Sequence, residues 1–238
     1  MSGWTVKRFW TTARVEDADG GFAVALDTRR IRTPAKQALI LPTRAMALAV
    51  AAEWDAQQGK VDPATMPVTR AANAALDKVA TQFDEVAGLV AAYGGTDLLC
   101  YRAEGPEGLI RRQAEGWDPM LDWAAQALGA RLHPTTGIVH RAQDTAALAA
   151  LDRAVRSLSI WGLTALHDLV GISGSLVLGL AALSDAHDPE SLWRLSRIDE
   201  DWQAELWGID EDAADLAESK RRDFLAAHAF WRLSLPAD

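Results

Sequence analysis

Five histidines could carry acid–base or metal chemistry: His133, His140, His167, His187 and His228. Their spacing supports neither. No two stand four apart on one helix turn, so there is no HxxxH or HExxH pair to hold zinc, and no metal site is expected. His167 and Asp168 are adjacent, so on a helix their side chains diverge. The run Gly171-Ile172-Ser173-Gly174-Ser175 has the outline of a nucleophile elbow or phosphate loop. It has no P-loop lysine and follows no clear strand, so helix packing is its expected role. Cys100, beside Leu99 and Tyr101, is the single cysteine. It excludes an intrachain disulfide, fits a reducing compartment, and reads as a small buried residue rather than a reactive thiol. Glu53 and Asp55 flank Trp54 and are expected on a solvated face. Glu53 and Glu200 are the carboxylates that one alternative function would use, a small soluble hydrolase or transferase built on acidic residues of the helical part.

A different chemistry is offered by Ser191 to Glu218. Asp188 can cap a helix there, Pro189 suits its first position, and Glu190 complements its positive end. At about 100° per residue, Leu195, Ile198, Trp202, Leu206 and Ile209 fall on one stripe, the expected core face. Trp193, Glu200 and Trp207 fall nearly opposite, with Gln203 and Ala204 beside them. From Asp199 to Glu218 there are nine acidic residues and no basic one, which equals the whole formal net charge of −9. Tryptophan on an acidic helix face has the composition of a docking site, because Trp, Tyr and Arg dominate binding hot spots. Burial on both sides is the competing role for these tryptophans.

The elements that must position these residues divide the chain at about residue 42. Ala13–Asp17 and Phe22–Leu26 are β-prone runs around Ala18-Asp19-Gly20-Gly21, which reads as a hairpin. Phe22, Val24 and Leu26 alternate, so one buried face is expected. Asp27-Thr28-Arg29-Arg30 makes a second turn, and Ile31–Pro34 and Ala38–Leu41 supply further short strands. From Thr43 the pattern is helical: Thr43 to about Gln57, Thr69–Ala80, a helix to Tyr93, Glu107–Ala114, and a helix from Trp117-Asp118-Pro119 to Leu128. Ile138-Val139-His140 reads as a short strand. Helices then run over Thr145–Leu158, Trp161–Leu183 as one or two, Pro189–Gly208 and Glu211–Leu233. Gly171, Ser175 and Gly179 would give a smooth packing strip. The fold class is α+β: a small N-terminal antiparallel β module over residues 1–42, then a larger, mostly α-helical domain over residues 43–238.

At 238 residues the chain can bury a sizeable core, and 49% hydrophobic with 24% charged residues describes a soluble globular protein. The acidic balance argues against nucleic acid. MSGWTVKRFW has neither an apolar h-region nor a cleavage site, so no signal or transit peptide is expected. Ile160–Leu183 is long enough to span a bilayer, but His167, Asp168 and three glycines argue for a buried helix instead.

Certain residues in order resemble one family. They are Leu26-Asp27, Thr33-Pro34, Glu53-Trp54-Asp55-Ala56-Gln57, Met66-Pro67-Val68-Thr69 and Thr96-Asp97-Leu98-Leu99-Cys100-Tyr101-Arg102. Trp117-Asp118-Pro119, Gly174-Ser175-Leu176, and Glu200-Asp201-Trp202-Gln203 running to Trp207-Gly208 complete the set. Together they resemble the assembly chaperone for the alpha subunit of the F1 sector of ATP synthase, a family of mitochondria and alphaproteobacteria. The chain departs from it at Thr28 and Arg30, where glycine and proline are usual, and at Trp202, where Tyr or Phe is usual. The resemblance implies a non-enzymatic protein without cofactor. It would bind free F1 alpha subunit and keep it from aggregating before it joins beta. A monomer is expected, and the absence of a signal or presequence makes a bacterial cytoplasm its expected location. The family's acidic contact residue falls on Glu200, with Gln203, Trp207 and Arg197 as the other expected partner-binding residues. Trp54 and Met66 would hold the structure.

Overall fold

The computed structural model describes residues 7–236 except Ile138 and Asp185. Residues 1–6, read above for targeting signals, lie outside it, as does Ile138 of the expected short strand; Val139 and His140 are irregular. Strand β1 (Ala13–Ala18) pairs antiparallel with β2 (Gly21–Leu26), Ala18 opposite Gly21, around Asp19-Gly20. Asp-Gly between β-prone runs is a strong hairpin signal. Strand β3 (Arg29–Arg30) joins β2 after a turn at Asp27-Thr28, giving the order β1-β2-β3. The small antiparallel sheet followed by helices is therefore the fold that the hydrophobic pattern predicts.

Two expectations for the sheet change. Ala23, Val24, Ala25 and Leu26 are all buried, so β2 is covered on both faces and not one. Helix α1 (Arg44–Asp55) packs on β1 and β2. Ile31–Pro34 and Ala38–Leu41 make only the single bridges Arg32 to Ala38 and Phe22 to Leu41. Pro34 has no N–H to offer a ladder, and Thr33 turns the chain back by accepting from Lys36 N at 2.8 Å and Gln37 N at 3.1 Å.

Thr43 caps α1 as expected, its hydroxyl accepting from Met46 N at 3.1 Å. Glu53 does not sit on a solvated face. Its carboxylate accepts from Val68 N at 2.7 Å, Thr69 N at 2.8 Å and Thr69 Oγ1 at 2.6 Å, and so caps α2 (Pro67–Ala74). Three donors at a positive helix end explain why Glu53 and Pro67-Val68-Thr69 occur together. A π-helical turn over Ala75–Val79 continues α2, and α3 spans Phe83–Ala92.

Tyr101–Arg102 (β4) pairs in parallel with Thr135–Thr136 (β5). Between them, α4 is one helix, Glu107–Ala127, and not two. Pro119 stands inside it rather than at a start, and Asp118 forms an ion pair with Arg102 at 2.8 Å instead of capping. An interior proline costs about 3 kcal/mol. Leu109, Trp117, Met120 and Leu121 are buried along one stripe, each worth about 1.5–3 kcal/mol, and that outweighs the loss.

α5 is Thr145–Arg156. Trp161–Leu183 resolves into α6 (Ile160–Ser173) and α7 (Leu176–Ala182), parted at Gly174, whose φ of +74° suits glycine. The break ends the expected glycine strip. A Cβ on Gly179 would meet Val170 and Leu166, while Gly171 has nothing near it. No helix among the described residues is long and apolar enough to cross a membrane.

Asp97 joins two of the family-like motifs. It is 0% exposed and accepts from Leu99 N at 3.0 Å, Ser175 Oγ at 2.7 Å and Val177 N at 3.0 Å. The chain 96–102 is thus pinned to the start of α7. Burial pushes the Asp97 carboxyl up, against the pull of its donors. Burial and the neighbouring Asp97 push the Cys100 thiol up to about 12, so it is an inert buried residue, as expected.

Two compact units share the chain. One takes residues up to Phe83, Ile160–Thr164 and the segment from Ala229; the other takes Asp84–Ser159 and Ala165–His228.

Candidate functional site

The acidic stretch forms three helices: α8 (Pro189–Leu195), α9 (Ile198–Trp207) and α10 (Glu211–Ser234). Asp188 caps α8, accepting from Ser191 N at 2.9 Å. The single helix expected over Pro189–Gly208 breaks at Ser196-Arg197. There the Trp117 indole donates to Leu195 O at 2.8 Å, and Ser196 Oγ donates to Trp193 O at 2.7 Å. Carbonyls that would continue the helix are occupied by side chains.

Helix α9 is held on α4 by residues four apart on one face of α4. Gly108 leaves room for the Trp202 ring, since a Cβ there would lie 2.7 Å from it. Arg112 donates twice to Glu205, at 2.7 and 2.8 Å, with its guanidinium 5.0 Å from the Trp202 ring centroid. A Cβ on Gly116 would meet Ile198 at 2.7 Å. Gln113 completes the seam, donating to Asp199 at 2.6 Å. Gly108→Val should loosen this seat, with a stability loss of about 1–3 kcal/mol, because a β-branched side chain must displace the indole. Urea denaturation of the variant checks it, and an unchanged midpoint would contradict the packing described.

Past α9 the chain turns at Gly208, whose φ of 92° and ψ of 162° lie in a region that is essentially glycine-only. Asp210 then caps α10, accepting from Ala213 N at 3.1 Å. Between α8, α9 and the first turns of α10 lies an open groove of about 600 Å³. Its lining includes Trp193, Arg197, Glu200, Gln203 and Trp207, with Ala204, Ile209, Ala213, Ala214 and Ala217 supplying small and apolar surface. All four residues expected to bind a partner therefore come together in one concavity. Arg197 donates to Glu200 at 2.8 Å and lies 5.7 Å from the Trp193 ring centroid. Glu200 and Gln203 are exposed, and Trp207 is 83% exposed.

The face assignment changes in both directions. Trp193, placed opposite the core stripe by periodicity, is only 5% exposed and packs beside Phe224 with ring centroids 6.0 Å apart. Leu206 and Ile209, placed on the core stripe, are exposed, Ile209 by 77%. The breaks at Ser196-Arg197 and Gly208 reset the helical phase for Trp193 and Ile209, so one 100° wheel cannot describe three helices. Leu206 keeps the phase of Ile198 and Trp202 and is exposed in the last turn of α9. Sequence reasoning missed Ile209 and the alanines of α10 as groove residues. Their signal was the small-residue spacing of Ala213, Ala214 and Ala217 facing a tryptophan-bearing helix.

The groove lining carries four carboxylates, Glu200, Asp201, Asp210 and Glu218, against Arg194, Arg197 and Arg221, and two of these cations are already paired. Arg221 meets Glu190 at 2.6 Å and Glu218 at 2.9 Å. The same contact holds the Glu218 carboxyl below its ordinary range, as Arg112 does for Glu205. Asp201 is pushed the other way, by burial first and by Glu205. No cluster of three His, Cys, Asp or Glu among the described residues could hold a metal ion. The site offers shape, apolar surface and negative charge.

The family model described as ATP12 chaperone protein matches residues 7–125. The crystal structure of Atp12 from Paracoccus denitrificans is 52% identical, covers 96% of this chain and 98% of its own, and superposes with a TM-score of 0.93. The chain belongs to the ATP12 chaperone family. A protein of Agrobacterium tumefaciens, Atu1473, is 40% identical over 98% of this chain and 87% of its own, with a TM-score of 0.92. The mitochondrial atp12 protein of Schizosaccharomyces pombe is 25% identical over 235 residues, covering 94% of this chain and 81% of that one. The ATP12 proteins are ATP synthase assembly chaperones, and the β module followed by helices is their fold.

Proposed function

We propose that this ATP12-family protein binds the unassembled F1 alpha subunit of ATP synthase and keeps it soluble until it joins beta. Contact would run through the α8–α10 groove and the residues Arg197, Glu200, Gln203 and Trp207. One observation carries the proposal: a large tryptophan and Ile209 stand in solvent at the edge of a concave, acidic groove. Exposed apolar surface of that kind marks interaction sites. An unassembled subunit exposes apolar interface of its own, which drives association until it is covered. A chaperone must also let go. Few aromatic anchors within a charged rim suit moderate affinity.

The structural roles of the carboxylates favour a binding protein over the hydrolase or transferase. Glu53 is tied to the start of α2, and Glu200 is an exposed residue paired with Arg197. The proposed protein acts as a monomer in a bacterial cytoplasm.

Glu200→Lys tests the proposal. It removes the Arg197 pair and sets two cations side by side at the groove edge, at an exposed position where the fold tolerates change. Co-expression with the alpha subunit should give soluble alpha with the wild type and pelleted alpha with the variant, at equal levels of soluble chaperone. Equal solubility of alpha in both would remove Glu200 from the contact.

A further inference from the structure

The β-sheet unit carries an exposed aromatic of its own. Along the extended segment 7–10, Lys7 and Phe9 face solvent while Arg8 is half-buried and Trp10 buried. Phe9 is 57% exposed. Its ring stands edge-on to Trp10, centroids 5.2 Å apart, and the Arg29 guanidinium lies 5.8 Å from its centre. The placement is built. Asp27 adopts a φ of 53°, unusual outside glycine, and accepts from Thr11 N and Thr12 N, each at 3.0 Å. That clamp ties the turn before Arg29 to the segment just after Phe9.

Arg8, between Lys7 and Phe9, is paired with Asp55 at 3.1 Å, but three other cations here have no counter-charge among the described residues. Lys7 and Lys60 are directly opposed in an antiparallel bridge, and both are exposed. Like charges in that position repel. Among the described residues no carboxylate forms an ion pair with Lys7, Lys60 or Arg29. Residues 7–44 hold eight Lys or Arg against four Asp or Glu, in a chain of net charge −9. An aromatic ring with an unpaired arginine stacked on it is hot-spot chemistry, and a planar guanidinium there can bind a carboxylate through two parallel hydrogen bonds.

We infer that Phe9, with Lys7, Arg29 and Lys60, forms a second docking surface, and that its occupant is an acidic segment of the client polypeptide. The inference rests on the client being F1 alpha, and it is separate from the groove. A polyphosphate offers no apolar surface for the Phe9 ring, so a ring set among cations suits an acidic polypeptide segment.

The test is the affinity of purified full-length protein for purified F1 alpha subunit, by biolayer interferometry at about 50 and about 200 mM salt. Lys7→Glu with Arg29→Glu should weaken binding about tenfold and flatten its salt dependence, and Phe9→Ser should weaken it without changing the salt slope. Unchanged melting temperatures exclude a folding effect, because all three side chains lie in solvent. Wild-type binding that neither variant alters would overturn the second surface and leave the groove proposal standing. No wild-type binding at micromolar alpha would overturn both. Retention of a single-stranded oligonucleotide that depends on Arg29, with alpha binding unaltered, would reassign the surface to phosphate.

Discussion

Trp207→Ala should leave the thermal melt where the wild type has it and lower affinity for the alpha subunit about 30-fold or more. The two halves of that result have separate causes. The side chain is 83% exposed, so its removal opens no cavity and strips no core contact. The same exposure means that water covers an indole face until a partner displaces it. Truncating a tryptophan at the centre of an interface commonly costs 2 kcal/mol or more, which is about 30-fold. Titration calorimetry with the isolated alpha subunit reads the affinity, and differential scanning calorimetry reads the fold. A tenfold or smaller loss would demote Trp207 from anchor to rim. A falling melting temperature would mean that the ring packs on its own groove.

Asp97→Ala is expected to do the opposite, sparing nothing that depends on the fold. Three donors, the Ser175 hydroxyl and the N–H groups of Leu99 and Val177, converge on a carboxylate with no exposure. Removing it leaves all three without an acceptor inside a packed unit. The loss should be about 3 kcal/mol or more. The pH dependence has a definite sign. Burial raises the folded carboxyl above its unfolded value near 4, so its contribution is complete below that pH. It declines as pH rises through the higher folded value. The gap between wild type and Asp97→Ala should therefore be widest in acid and narrow towards neutrality. Urea denaturation between about pH 4 and pH 8 measures it. A gap that widens with pH would show that the three donors outweigh burial and that the carboxylate is held ionised.

Much of the local structure was legible because it depends on neighbours in sequence. Asp19-Gly20 between β-prone runs requires a tight reversal. Thr43 and Asp188 sit where a hydroxyl or carboxylate can take the first free N–H of a helix, and both do. The acidic run 199–218 reads as a surface because so many carboxylates cannot be buried together. What failed depended on residues far away in the chain. Pro119 reads as a helix start until the stripe of Leu109, Trp117 and Leu121 holds it inside α4. Glu53 reads as solvated until Val68 and Thr69 supply three donors from the next helix.

The groove shows the division most clearly. Composition alone placed an acidic, tryptophan-bearing surface near Glu200 and Trp207, since residue type decides charge and apolar area. Which tryptophan faces water was settled elsewhere. Trp117 takes the carbonyl of Leu195, Ser196 takes that of Trp193, and Gly208 enters a backbone region closed to other residues. Those interruptions turn Trp193 inward onto Phe224 and leave Trp207 and Ile209 outside. A helical wheel carries no information about where a helix stops when the stop is a hydrogen bond from another element, and only the folded chain supplies that donor.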